Sequence, residues 1–467
     1  MAGERRSNLT LAAFAAPSLP LAAFGLPLVI TLPHFYASTL GLNLAAVSLA
    51  FILVRVIDIG FDPLFGTILD RTRWAVGRFR GWMMISTPIL MLAIYMLFMA
   101  KPGVGLGYLW FWLLVVYLGY SIAVLSHTAW AATLSSDYHQ RSRIYAFWQS
   151  GNVVGMICIL GLPLVLGAMK LVSDESGVVV SQGLFVVALL PLAVALAVWR
   201  VPEPAPVEHR DAERATLSDY FRLLKRPTVL RILAADLLTG LAPGIAGTLY
   251  FFFFTLIKGF TYIEALGLLL IYFLAAIGGG AIWARLARRT GKSRALIIAC
   301  VVYAVVQFAV VMLPAGNFLL AAPFLIAAGI PYSAGALLLR SMMADYSDEE
   351  RLASGKDRTG LLYAILTGTA KIGGALAVSS GLLLEALGFN ASTPAASTAV
   401  SMQGLMLLYA LAPGLIGLLA AAVMIGYPLT EAKHAETLRR LGERDGAQPP
   451  VTPEDLAVVQ PVASAAE

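Results

Sequence analysis

Apolar runs of roughly 20 residues follow one another along almost the whole chain, each long enough to cross a hydrocarbon layer about 30 Å thick. Inside such a layer no water satisfies a backbone N–H or C=O, so only a helix or a closed barrel can span it. The short alternating segments of a barrel are missing from this sequence. Of its 467 residues, 59% are hydrophobic and 13% charged, about half the charge expected of a soluble domain. The fold class is therefore an all-α membrane protein. Twelve transmembrane helices are predicted, near 11–38, 43–69, 81–100, 107–135, 142–169 and 178–199, then 229–257, 263–287, 294–314, 318–341, 358–387 and 402–428.

The two sets of six flank VPEPAPVEHRDAERATLSDYFRLLKRPTV, a stretch too charged and too rich in proline to enter a bilayer. The organisation read from this is a six-helix bundle over 1–200, a cytoplasmic linker over 201–228, a second bundle over 229–430 and a polar tail over 431–467. In the tail, TEAKHAETLRRLGERDG suits a short surface helix, and the remainder has the composition of a disordered segment. The apolar stretch behind the basic N-terminus is too long for a cleaved leader and is read as a retained first span. Lys and Arg concentrate in the loops after spans two and eight, in the linker and in the tail, which predicts that both termini face the cytoplasm. The net charge of +6 lies in those loops and carries no nucleic-acid signal. Cys158 and Cys300 fall within spans and are given packing roles.

The two basic loops occupy matching places in the two halves. One is G-x-x-x-D-R-T-R at Gly66–Arg73, including Asp70 and Arg71 and followed by Gly77 and Arg78; the other is W-A-R-L-A-R-R-T-G-K at Trp283–Lys292. Two six-span pseudo-repeats in parallel, joined by a cytoplasmic linker, form the arrangement of major facilitator transporters.

Ionisable residues deep in spans are expensive and mark function by default. Asp58 and Asp62, four residues apart in span two, share one helix face and repel each other. Arg55, one turn before Asp58, can pair with it and leaves Asp62 without a partner. Lys371 lies near the middle of span eleven, which neighbours span two across the halves in the major facilitator arrangement. Two carboxylates and a lysine make a switchable site: a monovalent cation or a proton holds the acids in one state, and the ammonium neutralises them in the other. Asp236 in span seven is a weaker candidate. His127 and Trp130 in span four read first as packing. Asp345, Asp348, Glu349, Glu350 and Arg351 read as a solvated loop after span ten.

The run R-V-I-D-I-G-F-D-P-L-F-G-T-I-L-D from Arg55 to Asp70 resembles the span-two signature of the glycoside–pentoside–hexuronide:cation symporters, of which the melibiose permeases are the best-known members. M-A-D-Y-S-D at Met343–Asp348, the following S-G-K-D-R-T-G-L-L-Y-A, the K-I-G-G around Lys371 and L-S-S-D-Y-H-Q-R-S-R at Leu134–Arg143 agree with it, in the same order. The resemblance implies that Asp58 and Asp62 bind the coupling cation, Na⁺ or H⁺, with Ser121 as the assisting hydroxyl and Lys371 as the span-eleven lysine. No further metal and no cofactor is implied. The family's sugar-binding acids and arginine fall on Ala22, Val124 and Trp148, so that clamp is missing. The solute site is expected to be apolar and aromatic, built from Tyr120, Trp130, Tyr145 and Trp148.

The expected activity is symport of a small glycoside-like solute with Na⁺ or H⁺ across a bacterial inner membrane, by a monomer embedded in the lipid bilayer. One alternative keeps the fold and takes a less polar or amphiphilic solute, since eukaryotic relatives of the family carry lysophospholipids. The other is a non-transporting membrane sensor, which has no need of a switchable cation site. No nucleophile–base pair points to an enzyme.

Overall fold

The structure, a computed structural model, describes residues 7–134, 138–203, 223–355, 358–394 and 397–444. Its twelve long apolar helices are each sufficient to cross a bilayer, and the described residues contain no strand. In chain order the later eleven spans are helices at Leu44–Arg71, Arg78–Phe98, Leu106–Thr133, Tyr138–Ala168, Glu175–Arg200, Pro227–Phe252, Tyr262–Thr290, Lys292–Ala309, Phe318–Ser354, Thr359–Ala386 and Ala399–Met424. Polar side chains set several of the starts. Asn43 Oδ1 accepts from the Ala46 N–H at 2.8 Å, Thr398 Oγ1 accepts from Ser401, and Thr261 with Glu264 closes a reciprocal capping box.

Span one, predicted near 11–38, is not a single unbroken helix. It runs as three pieces, Asn8–Ala15, Ser18–Val29 and Thr31–Ser38. Pro17, Pro20, Pro27 and Pro33 lie along it, and each removes a backbone donor and crowds the preceding turn. Span ten also differs. The acidic segment read as a loop continues the helix to Ser354, because it contains strong helix formers and no proline. Its acids are held rather than solvated. Asp345 pairs with Lys292 at 2.6 Å, Glu349 with Lys433 at 2.8 Å, and the nearly buried Glu350 with Arg358 at 2.7 Å. His434 Nε2 lies 2.9 Å from Asp348. The contacts to Lys433 and His434 seat the tail helix Glu431–Arg444 on the end of span ten, with Thr437 and Leu441 buried.

Within the first half, span one packs on five and six, two on four, and three on four and six. Within the second, seven packs on eleven and twelve, eight on ten, and nine on ten and twelve. Adding six to each member of the first set reproduces the second, which is the pseudo-repeat expressed in contacts. Glycines permit the closest approaches. A Cβ at Gly155 would lie 2.1 Å from the Leu19 carbonyl of span one, and Gly329 and Gly279 make similarly close fits between spans ten and eight, at 2.1 Å from the Tyr272 oxygen and 2.3 Å from the Ile330 oxygen.

The halves meet chiefly through two helix pairs, span two with eleven and span five with eight, which are again exchanged by the pseudo-repeat, and less extensively through span one with seven. The contacts concentrate away from the linker. Glu385 at the end of span eleven accepts from Asn43 and from the Ala45 N–H at the start of span two. Ile30 of span one abuts Gly247, and Ile263 of span eight abuts Gly167. His34 lies against Phe252, 4.3 Å between ring centroids, while its Nδ1 is 2.5 Å from Glu175. We call this the far end, and the opposite end, which carries the linker and the tail helix, the linker end.

At the linker end, Glu203 closes the loop between spans two and three. Its carboxylate accepts from the free N–H groups of Arg78, Phe79 and Arg80 at 2.8, 3.2 and 3.1 Å, an anion at a helix N-terminus. Gly77 is needed there: its φ is +101°, and a Cβ would lie 2.3 Å from the Glu203 oxygen. Gly66 lies inside span two, and the side chains of Asp70 and Arg71 lie outside the described residues, as does most of the linker (204–222).

Candidate functional site

Span two carries its acids into the seam with span eleven. Asp58 is 1% exposed and fully engaged. Ser121 Oγ of span four donates to Oδ1 at 2.5 Å, while Arg55 at 3.4 Å and Lys371 at 3.0 Å both reach Oδ2. Lys371 also bonds Asp62 Oδ2. The second Asp62 oxygen, Oδ1, is buried and has no hydrogen-bond partner among the described residues. Arg55 lies over the Tyr117 ring, 5.2 Å from its centroid, which holds the guanidinium beside span four.

Thus Asp58, Asp62, Ser121, Lys371 and Arg55 converge, with three spans contributing. Two carboxylates face two cations, so the formal charges cancel. The balance depends on the meeting of the halves, because Lys371 belongs to the second and both acids to the first. A buried carboxylate oxygen without a donor costs more than about 1–3 kcal/mol. Asp62 Oδ1, the Asp58 carboxylate and Ser121 Oγ are hard oxygen donors suited to a small monovalent cation, and Lys371 takes up the role of the positive charge here.

Beside this seam, a cavity of about 1150 Å³ lies between the halves. Ala22, Tyr120, Val124 and Trp148 line it from the first half. Trp130 does not. It is fully buried and packs edge-on against Phe14, 5.7 Å between centroids, in the wall between spans one and four. His127, whose Nε2–H donates to the Phe14 carbonyl at 2.7 Å, does border the cavity. The Tyr145 side chain lies outside the described residues.

The cavity is more polar than the sequence suggested. One turn of span five adds the amides of Gln149 and Asn152 to the indole of Trp148. The second half contributes Asp236, Thr239, Ser333 and Arg340. Thr369 Oγ1 donates to Asp236 Oδ2 at 2.8 Å. Sequence reasoning passed over Gln149 and Asn152 because uncharged amides carry no cost signal in an apolar span. It passed over Arg340 because that residue sits at the edge of the predicted span ten.

Residues 13–431 match the family described as MFS/sugar transport protein. Over 429 residues the chain is 24% identical to the uncharacterized symporter YnaJ of Bacillus subtilis, covering 88% of this chain and 89% of the relative. Over 438 residues it is 25% identical to a lactose permease of Lactobacillus delbrueckii subsp. bulgaricus, covering 88% and 68% respectively. Among solved structures it resembles a bacterial homolog of the human lysosomal transporter Spinster, in an inward-facing and unoccupied conformation, with a TM-score of 0.65 and 14% identity, over 94% of this chain and 99% of the other. That likeness shows the major facilitator fold.

Proposed function

The chain belongs to the MFS/sugar transport protein family, and on that premise we propose that it is a secondary active symporter moving a glycoside-like solute together with Na⁺ or H⁺ by alternating access. The observation that carries the reading is that Asp58 and Asp62 are shared by a lysine of the opposite half, while one buried oxygen, Asp62 Oδ1, has no hydrogen-bond partner among the described residues. The relative named as a lactose permease supports the solute class, and the one named as a symporter supports coupled transport.

In this reading both termini lie on the cytoplasmic side of a bacterial inner membrane, so the linker end is cytoplasmic and the far end, where the halves hold each other, is the closed one. The conformation then faces inward. Lys371 neutralises the acids and ties the halves together. A cation bound between Asp58, Asp62 and Ser121 removes the need for the ammonium, so the loaded and empty carriers differ in what joins span two to span eleven. Coupling requires such a difference, since a ligand shifts a conformational equilibrium only by its differential affinity for the two states. Each cation moved down a potential of 100 mV supplies about 2.3 kcal/mol.

The test is uptake of labelled lactose and of methyl glycosides into proteoliposomes under imposed Na⁺ or pH gradients. Asp62→Asn is expected to abolish gradient-driven accumulation while the purified protein remains monodisperse. Accumulation at the wild-type level by that variant sinks the assignment of the cation site.

A further inference from the structure

The second half carries charged groups that the cation site does not use. Arg340 lies on span ten and lines the cavity, exposed to it. It is five residues before Asp345, whose pair with Lys292 marks the linker-end rim, and so lies about 7.5 Å further in along the helix. Its hydrogen bond is a long one, 3.4 Å from Nη1 to the Ala336 carbonyl of its own helix. No carboxylate among the described residues lies within ion-pair distance of it. Asp236 of span seven faces the same cavity, close enough for the two charges to act on each other. Thr369 engages one oxygen of Asp236, and the other makes no hydrogen bond among the described residues.

A guanidinium at membrane depth is costly, and it persists where it pairs or lines a polar pathway. Arg340 presents a planar fork of donors, the geometry that takes a carboxylate or a phosphate through two parallel bonds. The aspartate beside it accepts hydroxyl donors and repels a second anion. Polar groups on the opposite wall, Gln149 and Asn152, are uncharged. The cavity therefore grades from neutral hydrogen-bonding groups in the first half to an arginine and an aspartate in the second, not paired with each other.

We propose that Arg340, Asp236 and Thr369 form a second polar subsite in the C-terminal half, which holds an oxyanion of the transported solute at Arg340 and a hydroxyl of the same solute at Asp236. This rests on the cavity being the solute's path. It assigns to span ten a role in selecting the cargo, and it supplies from the second half an acid and an arginine of the kind that Ala22, Val124 and Trp148 do not provide in the first.

The experiment is equilibrium binding to the purified full-length protein of three probes: methyl β-glucoside, methyl β-glucuronide and glucose 6-phosphate. Wild type is expected to bind at least one of the two anions about tenfold or more tightly than the neutral glucoside, and which anion wins separates a carboxylate from a phosphate ligand. Arg340→Gln brings that anion down to the glucoside level, and Arg340→Lys recovers part of the difference by keeping the charge without the fork. Equal affinities in wild type, no binding of any probe, or an anion preference that survives Arg340→Gln overturns the proposal. Should Arg340→Gln fail to fold, the wild-type ranking and Arg340→Lys decide it. Na⁺-dependent stabilisation of wild type and its loss in Asp62→Asn, read on the same preparations, report on the cation site, so failure of the subsite is distinguishable from failure of the symport reading.

Discussion

Replacing Lys371 by methionine isolates its part in the cation switch. The substitution keeps length and apolar bulk and removes the charge. Asp58 retains Ser121 and Arg55, while Asp62 loses its one hydrogen-bond partner among the described residues. The site goes from neutral to one net negative charge. Two unit charges about 4 Å apart interact by about 4 kcal/mol at an effective dielectric near 20, and the cost of desolvating the groups takes back much of that. The Lys371, Asp62 and Asp58 side chains are 19%, 22% and 2% exposed, so screening is incomplete. A net of about 1.5–3 kcal/mol for charge-assisted bonds is reasonable. A coupling cation must displace the ammonium in wild type and has no competitor in Lys371→Met. Cation affinity should therefore rise about ten- to hundredfold. Gradient-driven accumulation should nevertheless be lost, because the empty carrier can no longer neutralise its acids across the halves. The assay pairs Na⁺-induced thermal stabilisation, or proton uptake on solute binding, with accumulation in proteoliposomes. Unchanged or weaker cation affinity, or undiminished accumulation, refutes the reasoning.

Asp58 and Asp62 should part ways in stability. Asp58→Asn strands Arg55 and weakens the hold of Lys371 in a buried site, a loss of about 3–5 kcal/mol, whereas Asp62→Asn should shift thermal unfolding far less; equal shifts in a melting experiment contradict the assigned partners. Glu385→Gln should loosen the far end by about 0.5–2 kcal/mol, the usual worth of a helix cap, and raise the labelling of a cysteine placed at Val29 from the far side several-fold; unaltered labelling argues that Glu385 does not latch the halves. Gly155→Val forces its side chain into the Leu19 carbonyl and should cost more than about 2 kcal/mol in unfolding experiments, while the same change at Gly161, where nothing lies within 4 Å, should be nearly neutral.

Much of the architecture was legible because bilayer physics is strict. An apolar run of sufficient length must become a helix, and the positions of basic loops order those helices into two sets of six. Asp58, Asp62 and Lys371 were legible for the same reason: a charge in an apolar span announces its cost. The failures have equally definite causes. Trp130 and Trp148 look alike as letters, yet one fills the wall behind Phe14 and the other faces the cavity, which only helix rotation determines. The acids after span ten looked solvated because their partners, Lys292, His434 and Lys433, are distant in sequence.

By itself the sequence determined the number of spans, their grouping into repeats and the presence of a cation-type charge cluster, since each follows from the cost of moving polar groups into hydrocarbon. Only the tertiary structure decided how those charges are balanced. Lys371 reaches Asp58 and Asp62 because span eleven meets span two across the seam, and among the described residues Asp62 Oδ1 is left without a donor there. It also decided that Gln149, Asn152, Asp236 and Arg340 share one cavity. Contacts between helices far apart in the chain depend on how the two bundles lean against each other, and no local pattern of residues encodes that.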